Sequence, residues 1–131
     1  DISNAALSTA RRAQYREQQL RNLEPAQLAG NLEAGRDGRY RVLPELADRV
    51  CFVQSNLVSA EELLGIDMDV IFCQNVLIYF RQGSKYKVLD CLVDHLKPGG
   101  LLLVGQGESV GWTHSGVTKV RSGQLEAYIR Q

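Results

Sequence analysis

The chain has no excess of charge of either sign, since fifteen Lys and Arg offset fifteen Asp and Glu. That balance argues against nucleic acid or direct membrane insertion as its business, because both favour strongly biased charge or apolar content. No apolar run approaches the roughly 18 residues of a membrane span, and no signal-peptide pattern opens the chain. Cysteine is sparse and shows no pairing pattern. Cys51, Cys73 and Cys91 lie far apart with apolar neighbours, which reads as reduced core cysteines of a cytoplasmic protein. His95 and His114 are isolated, with no second ligand at metal-binding spacing, so no metal site is expected. Gly105-Gln106-Gly107 lacks a third glycine in register and no helical pattern follows it, which argues against a dinucleotide fingerprint. Internal repeats and low-complexity segments are absent.

What is present fits one α/β domain with a real core: 131 residues, 44% of them hydrophobic. Its centre is Met68 to Phe80, MDVIFCQNVLIYF. An apolar run, Val70 to Cys73, is followed by two amides, Gln74 and Asn75, then by Val76-Leu77-Ile78 and Tyr79-Phe80. This reads as a buried strand that surfaces at a functional edge and turns into a short helix. Around it, Ser3 or Asn4 caps a helix running to Ala13. Tyr15–Leu23 and Pro25–Leu32 read as two short helices, with Pro25 in a first turn. Residues 31–38 read as a loop, Arg39–Leu43 as a short strand, and Pro44–Asp48 as one helical turn. Val50–Gln54 is a short apolar strand, and Ala60–Leu64 a helical turn stopped by Gly65.

Ser84–Leu96 is the clearest amphipathic helix, with Ser84 as cap and Val88, Leu89, Leu92, Val93 and Leu96 on one face. Lys97-Pro98-Gly99-Gly100 ends it before the apolar strand Leu101–Val104. Continuous apolar strands joined by a helix imply a parallel crossover in a sheet covered on both faces. At the end, Val117–Arg121 and Gln124–Arg130 read as a β-hairpin around Ser122-Gly123. The sheet is therefore mixed.

In open α/β sheets ligands bind outside the carboxyl ends of the strands. Four such ends are visible: Asp1, Ser55–Leu57, Gln74–Val76 and Gly105–Glu108. An acidic residue at one can hold ribose hydroxyls, and Asn56 with neighbouring backbone can bond an adenine edge. If a helix starts at Asn75, Asn75 and Tyr79 are i and i+4 and share a face, where an amide and a phenol can grip a polar substrate group. The plainer alternative makes Asn75 a cap and Tyr79 a core aromatic.

VIFCQNVLIYF resembles the FCRNV-IYF signature of the chemoreceptor glutamate O-methyltransferases, the CheR family. Further pieces agree in order: Asp1-Ile2-Ser3, Tyr15-Arg16 with Leu20 and Leu23, Pro25 to Leu28, Tyr40-Arg41-Val42 with Pro44-Glu45-Leu46, Asn56-Leu57, and Leu96-Lys97-Pro98-Gly99-Gly100 with Gly105 and Glu108. The resemblance implies a Rossmann-like S-adenosylmethionine-dependent methyltransferase fold, represented here without its first strand and glycine-rich loop. It also implies a small β-subdomain at about 33–49, and a chain that is the C-terminal part of a longer enzyme. The implied reaction is methyl esterification of glutamates on the cytoplasmic helices of a methyl-accepting chemoreceptor. The pathway would be swimming or the twitching-motility (PilK-like) branch. Carried over by position, Asp1 would hold the donor ribose, Asn56 and Leu57 would lie along the adenine, and Asn75 and Val76 would contact the donor near its reactive end. Tyr79 would face the incoming glutamate, with Gln74 beside it. Gln74 stands where the family has arginine, and Gly105-Gln106-Gly107-Glu108 stands for the family's GHSE. The loop at Gly35–Arg39 is shorter than in members tethered to a receptor's C-terminal pentapeptide, so no such tether is implied. The alternative is a non-catalytic relative that binds a receptor or signalling partner, with Gln74 as the mark of lost catalysis.

Overall fold

The computed structural model describes residues 1–62, 67–122 and 125–131, in two units, Asp1–Ser55 and Asn56–Gln131. Gly65, the expected helix stop, and Gly123, placed in the expected hairpin turn, lie outside the described residues.

In the first unit, helix α1 (Asn4–Arg12) is capped as its sequence predicts. Ser3 Oγ accepts the Ala6 N–H at 3.2 Å, and Ala13 closes the helix at φ 50°. Leu7 is its buried contact. The next segment departs from expectation, because Tyr15 does not start a helix. Strand β1 (Gln14–Arg16) comes first, then the single turns α2 (Glu17–Leu20) and α3 (Pro25–Leu28). Strand β2 (Leu32–Ala34) occupies the stretch read as loop, and β3 (Arg39–Val42) lies between the two in an antiparallel sheet of order β1-β3-β2. The small sheet thus draws on Gln14–Arg16 as well as residues 33–49. Strands of three residues carry too little periodicity to be seen in isolation; β3 templates them from both sides. Helix α4 (Pro44–Ala47) forms as expected. The strand expected at Val50–Gln54 reduces to one bridge: the Asp1 nitrogen donates to Val53 O at 3.2 Å, and Ser55 N–H donates to Asp1 O at 3.1 Å.

The second unit begins with a 3₁₀ segment (Leu57–Glu62) broken at Ser59. Strand β4 (Met68–Cys73), helix α5 (Gln82–Asp94) and strand β5 (Leu96–Val104) form the predicted crossover, with β4 and β5 parallel. Arg81, not Ser84, is the N-cap of α5; Ser84 sits in the first turn, its N–H donating to Arg81 O at 2.9 Å. The hairpin β6 (Val117–Ser122) and β7 (Leu125–Arg130) completes a sheet of order β4-β5-β7-β6. Ser122 pairs with Leu125, so it belongs to the strand and not to the turn.

The core is the face of this sheet under α5. Ile71, Cys73, Leu102 and Val104 pack against Val88, Leu89, Leu92 and Val93, with Leu77, Leu96, Trp112 and Tyr128 filling the ends. The opposite face of β4 departs from the expected double cover, since Val70 is 45% and Phe72 is 71% exposed. In β7 two successive residues are buried. Tyr128 is buried along with Ala127, its ring edge-on to Trp112 at 5.0 Å.

Candidate functional site

The central stretch turns sharply at the carboxyl end of β4. Gln74 is half-buried, and Asn75 adopts φ 57°, a left-handed conformation that asparagine tolerates better than most residues. The chain then forms a single 3₁₀ turn (Leu77–Tyr79) with Val76 as its N-cap. Tyr79 N–H donates to Val76 O at 3.2 Å and Phe80 N–H to Leu77 O at 3.0 Å. Leu77 is fully buried and Val76 packs on the core, so these two pin the turn. Ile78 and Tyr79 consequently face outward, Tyr79 with 82% of its surface exposed. Because Asn75 is left-handed and outside the turn, it and Tyr79 do not form the expected i, i+4 pair on one helix face. Nor is Tyr79 a core aromatic.

The neighbouring strand end holds a residue whose role sequence reading missed. After β5, residues 105–108 form a tight turn: Glu108 N–H donates to Gly105 O at 3.1 Å, and Gly107 takes φ 76°. The Glu108 side chain folds back and is 3% exposed. Its Oε2 accepts the N–H of Gly105 at 2.9 Å and of Asn75 at 3.1 Å, while Oε1 accepts the N–H of Ile78 at 3.2 Å. One buried carboxylate thus bonds the loops at the ends of both parallel strands. The loop beyond it is fixed from α5: Tyr86 donates its hydroxyl to Val110 O at 3.1 Å, and Trp112 donates Nε1–H to Asp90 at 2.8 Å. Ser109, also buried, donates to the Glu126 carboxylate and meets the Tyr128 hydroxyl at 2.7 Å. The sequence marks Glu108 as a carboxylate directly after a Gly-x-Gly turn at a strand end and as the last residue of the GHSE-like stretch, but neither shows which N–H groups it bonds.

The remaining predicted residues lie elsewhere along the chain. Asn56 is exposed and uses its Oδ1 to accept the Val58 N–H at 3.1 Å, while Leu57 packs half-buried against the core. Asp1 belongs to the first unit, where one carboxylate oxygen accepts the Ser3 N–H at 2.7 Å. A cleft of about 580 Å³ in that unit, lined by Tyr15, Leu20, Leu23, Gln27, Leu32 and Leu46 among others, contains none of the predicted site residues.

Polar side chains stand at the carboxyl end of a parallel strand beside a crossover helix, the place where open α/β sheets bind ligands. The turn after β4 carries the Gln74 and Asn75 amides and the exposed Tyr79 phenol. Residues 1–126 match the family model described as CheR methyltransferase, SAM binding domain. Relatives include the chemotaxis protein methyltransferase of Escherichia coli (strain K12), 39% identical over 112 residues that make up 83% of this chain and 39% of that protein. Chemotaxis protein methyltransferase 1 of Vibrio cholerae is 40% identical over 111 residues, 84% of this chain and 40% of that protein. Among solved structures, an O-methyltransferase family protein from Burkholderia thailandensis aligns at TM-score 0.48 and 20% identity, covering 66% of this chain and 37% of its own. The N-methyltransferase NodS from Bradyrhizobium japonicum aligns at 0.44 and 15%, covering 66% and 64%. The chain belongs to the CheR methyltransferase SAM-binding domain family, whose cofactor is S-adenosylmethionine. It spans about two-fifths of the length of the relatives it matches.

Proposed function

We propose that the protein to which this chain belongs methylates glutamate side chains on the cytoplasmic helices of a chemoreceptor, forming methyl esters. The observation that carries this reading is Tyr79, which is 82% exposed directly after the left-handed turn at Asn75, at the carboxyl end of β4. A phenol presented this way can meet a side chain on another protein. Bound S-adenosylmethionine supplies a methyl group on a positively charged sulfur. A glutamate side chain ionises near pH ~4.3 and needs no base to become nucleophilic, so the chain's own residues have only to bind, orient and exclude water. On this reading Asn75 and Val76 meet the donor's reactive end, and Asn56 and Leu57 its adenine. Tyr79 and the Gln74 amide orient the carboxylate through neutral hydrogen bonds. On this reading the receptor's helices are met without a pentapeptide tether.

Removing the phenol hydroxyl tests the site. Tyr79→Phe is expected to lower kcat for receptor methylation by about five- to tenfold, one hydrogen bond's worth of orientation, with the affinity for S-adenosylhomocysteine unchanged. Turnover equal to wild type removes Tyr79 from the mechanism. The alternative, a non-catalytic binding module, has the Gln74 replacement alone on its side. Calorimetric binding of S-adenosylhomocysteine by the full-length protein counts against it.

A further inference from the structure

A buried charge needs partners, and Glu108 finds them entirely in backbone N–H groups. Its acceptors are Oε2 for Gly105 and Asn75, and Oε1 for Ile78, at 2.9–3.2 Å. Two of the three donors come from the turn after β4, thirty or more residues away in sequence. They flank Val76 and Leu77 and include the left-handed residue, Asn75. That conformation has an intrinsic cost for a residue with a Cβ, on the order of 1 kcal/mol, and persists where surrounding bonds over-determine it. Hydrogen bonds to an ionised acceptor are about twice as strong as neutral ones, so the carboxylate is well matched to hold this turn. Gly105 leaves the room: a Cβ built there would overlap Oε2 of Glu108, and its three nearest neighbours would all be atoms of the Glu108 side chain.

We infer that Glu108 is a positioning residue: its carboxylate fixes the backbone of Asn75 and Ile78, and through them sets where Asn75 and Tyr79 stand at the reacting edge. Glu108 itself is buried beneath that edge and touches neither donor nor glutamate. The inference rests on the reading of Gln74–Tyr79 as the reacting edge. It adds a requirement for a carboxylate, as opposed to any polar residue of similar shape. In Glu108→Gln one of the two acceptor oxygens becomes an NH₂ group, which faces a backbone N–H and cannot accept from it.

The experiment compares wild-type, Glu108→Gln and Gly105→Ala forms of the full-length protein. Amide hydrogen exchange is read at Asn75, Ile78 and the core residues Leu89 and Leu102, alongside S-adenosylhomocysteine affinity and receptor-methylation kcat. Gly105→Ala leaves Glu108 in place and displaces its carboxylate, so it keeps the test open if Glu108→Gln fails to fold. The expected result is a tenfold or greater loss of protection at Asn75 and Ile78, none at Leu89 and Leu102, and a fall of about tenfold in kcat or cofactor affinity. Unchanged exchange at the two loop amides overturns the inference. So does equal loss at the core amides, which marks a purely structural role, or loosened loop amides with unchanged binding and turnover. Should wild type itself fail to bind S-adenosylhomocysteine, the proposed function falls, and the exchange pattern still decides whether Glu108 holds the turn.

Discussion

Cys73 shows how much one residue's setting decides. The sequence treats all three cysteines alike, as apolar core positions, yet Cys51 is exposed, Cys91 half-buried and Cys73 buried. Burial pushes the Cys73 thiol up to about 11 from 9.0, and the nearby Glu108 carboxylate adds to the shift. The thiolate is the reactive form, so at pH 8 a thiol reagent is expected to label Cys51 within minutes and Cys73 only after unfolding. Labelling of Cys73 in the folded protein would show that the strand end opens. The same shift has a stability consequence. The folded state disfavours ionisation, so Cys73's contribution is fully present below pH 9.0 and is lost as pH rises towards about 11. Urea midpoints of wild type and Cys73→Val, compared at pH 7 and pH 10, isolate it from the tyrosines and lysines that titrate in the same range. The wild type should lose more stability on going to pH 10 than the variant does.

At the scale of elements, the joint between α5 and β5 carries the sharpest constraint. Met68 pairs with Leu96 and Val70 with Leu101, so β5 holds extra residues in a bulge formed by Lys97–Gly100. A Cβ on Gly100 would lie 2.8 Å from Lys97 O and 3.0 Å from Met68 O, both backbone atoms that cannot swing aside. Gly99 is at φ 79° but its Cβ would meet open space. Gly99→Ala is therefore expected to cost about 1 kcal/mol of strain, and Gly100→Ala about 1–3 kcal/mol through crowding of the strand pair. Trp112, the only tryptophan and 7% exposed, reports unfolding of this unit by fluorescence. If Gly100→Ala is no less stable than Gly99→Ala, β4 and β5 can spread and the close packing is not needed. The crossover itself was legible in the sequence because β4, α5 and β5 are long and strongly patterned, as were the central signature and the cap at Ser3. Gln14–Arg16 and Leu32–Ala34 were not, since three-residue strands owe their form to β3. The left-handed Asn75 and the reach of Glu108 were hidden for a similar reason. One depends on bonds from a distant loop, and the other looks like any polar strand end until the fold brings its N–H donors together.

For the whole molecule, the order β4-β5-β7-β6 leaves an apolar parallel strand at one edge of the main sheet among the described residues. Edge strands in stable proteins are usually short, twisted away or guarded by inward charges. Here Asp69 is the one charge on β4, and it is paired at 2.8 Å with Lys97 of the neighbouring strand. Val70 and Phe72 project from the less covered face, beside half-buried Leu101 and Leu103. Net charge is zero, so long-range repulsion between copies is weak near neutral pH. Both features favour association of the 131-residue chain with itself through β4, and both can be altered separately. Phe72→Lys puts a charge on the exposed face while Ile71 and Cys73 keep the core contacts, so stability should change little and association should fall. Analytical ultracentrifugation of the chain at neutral pH should show concentration-dependent oligomers in wild type and monomer in Phe72→Lys. Moving to pH 9, where the net charge turns negative, should shift wild type towards monomer to a smaller degree. Oligomers of equal size in both proteins would place the contact elsewhere than β4.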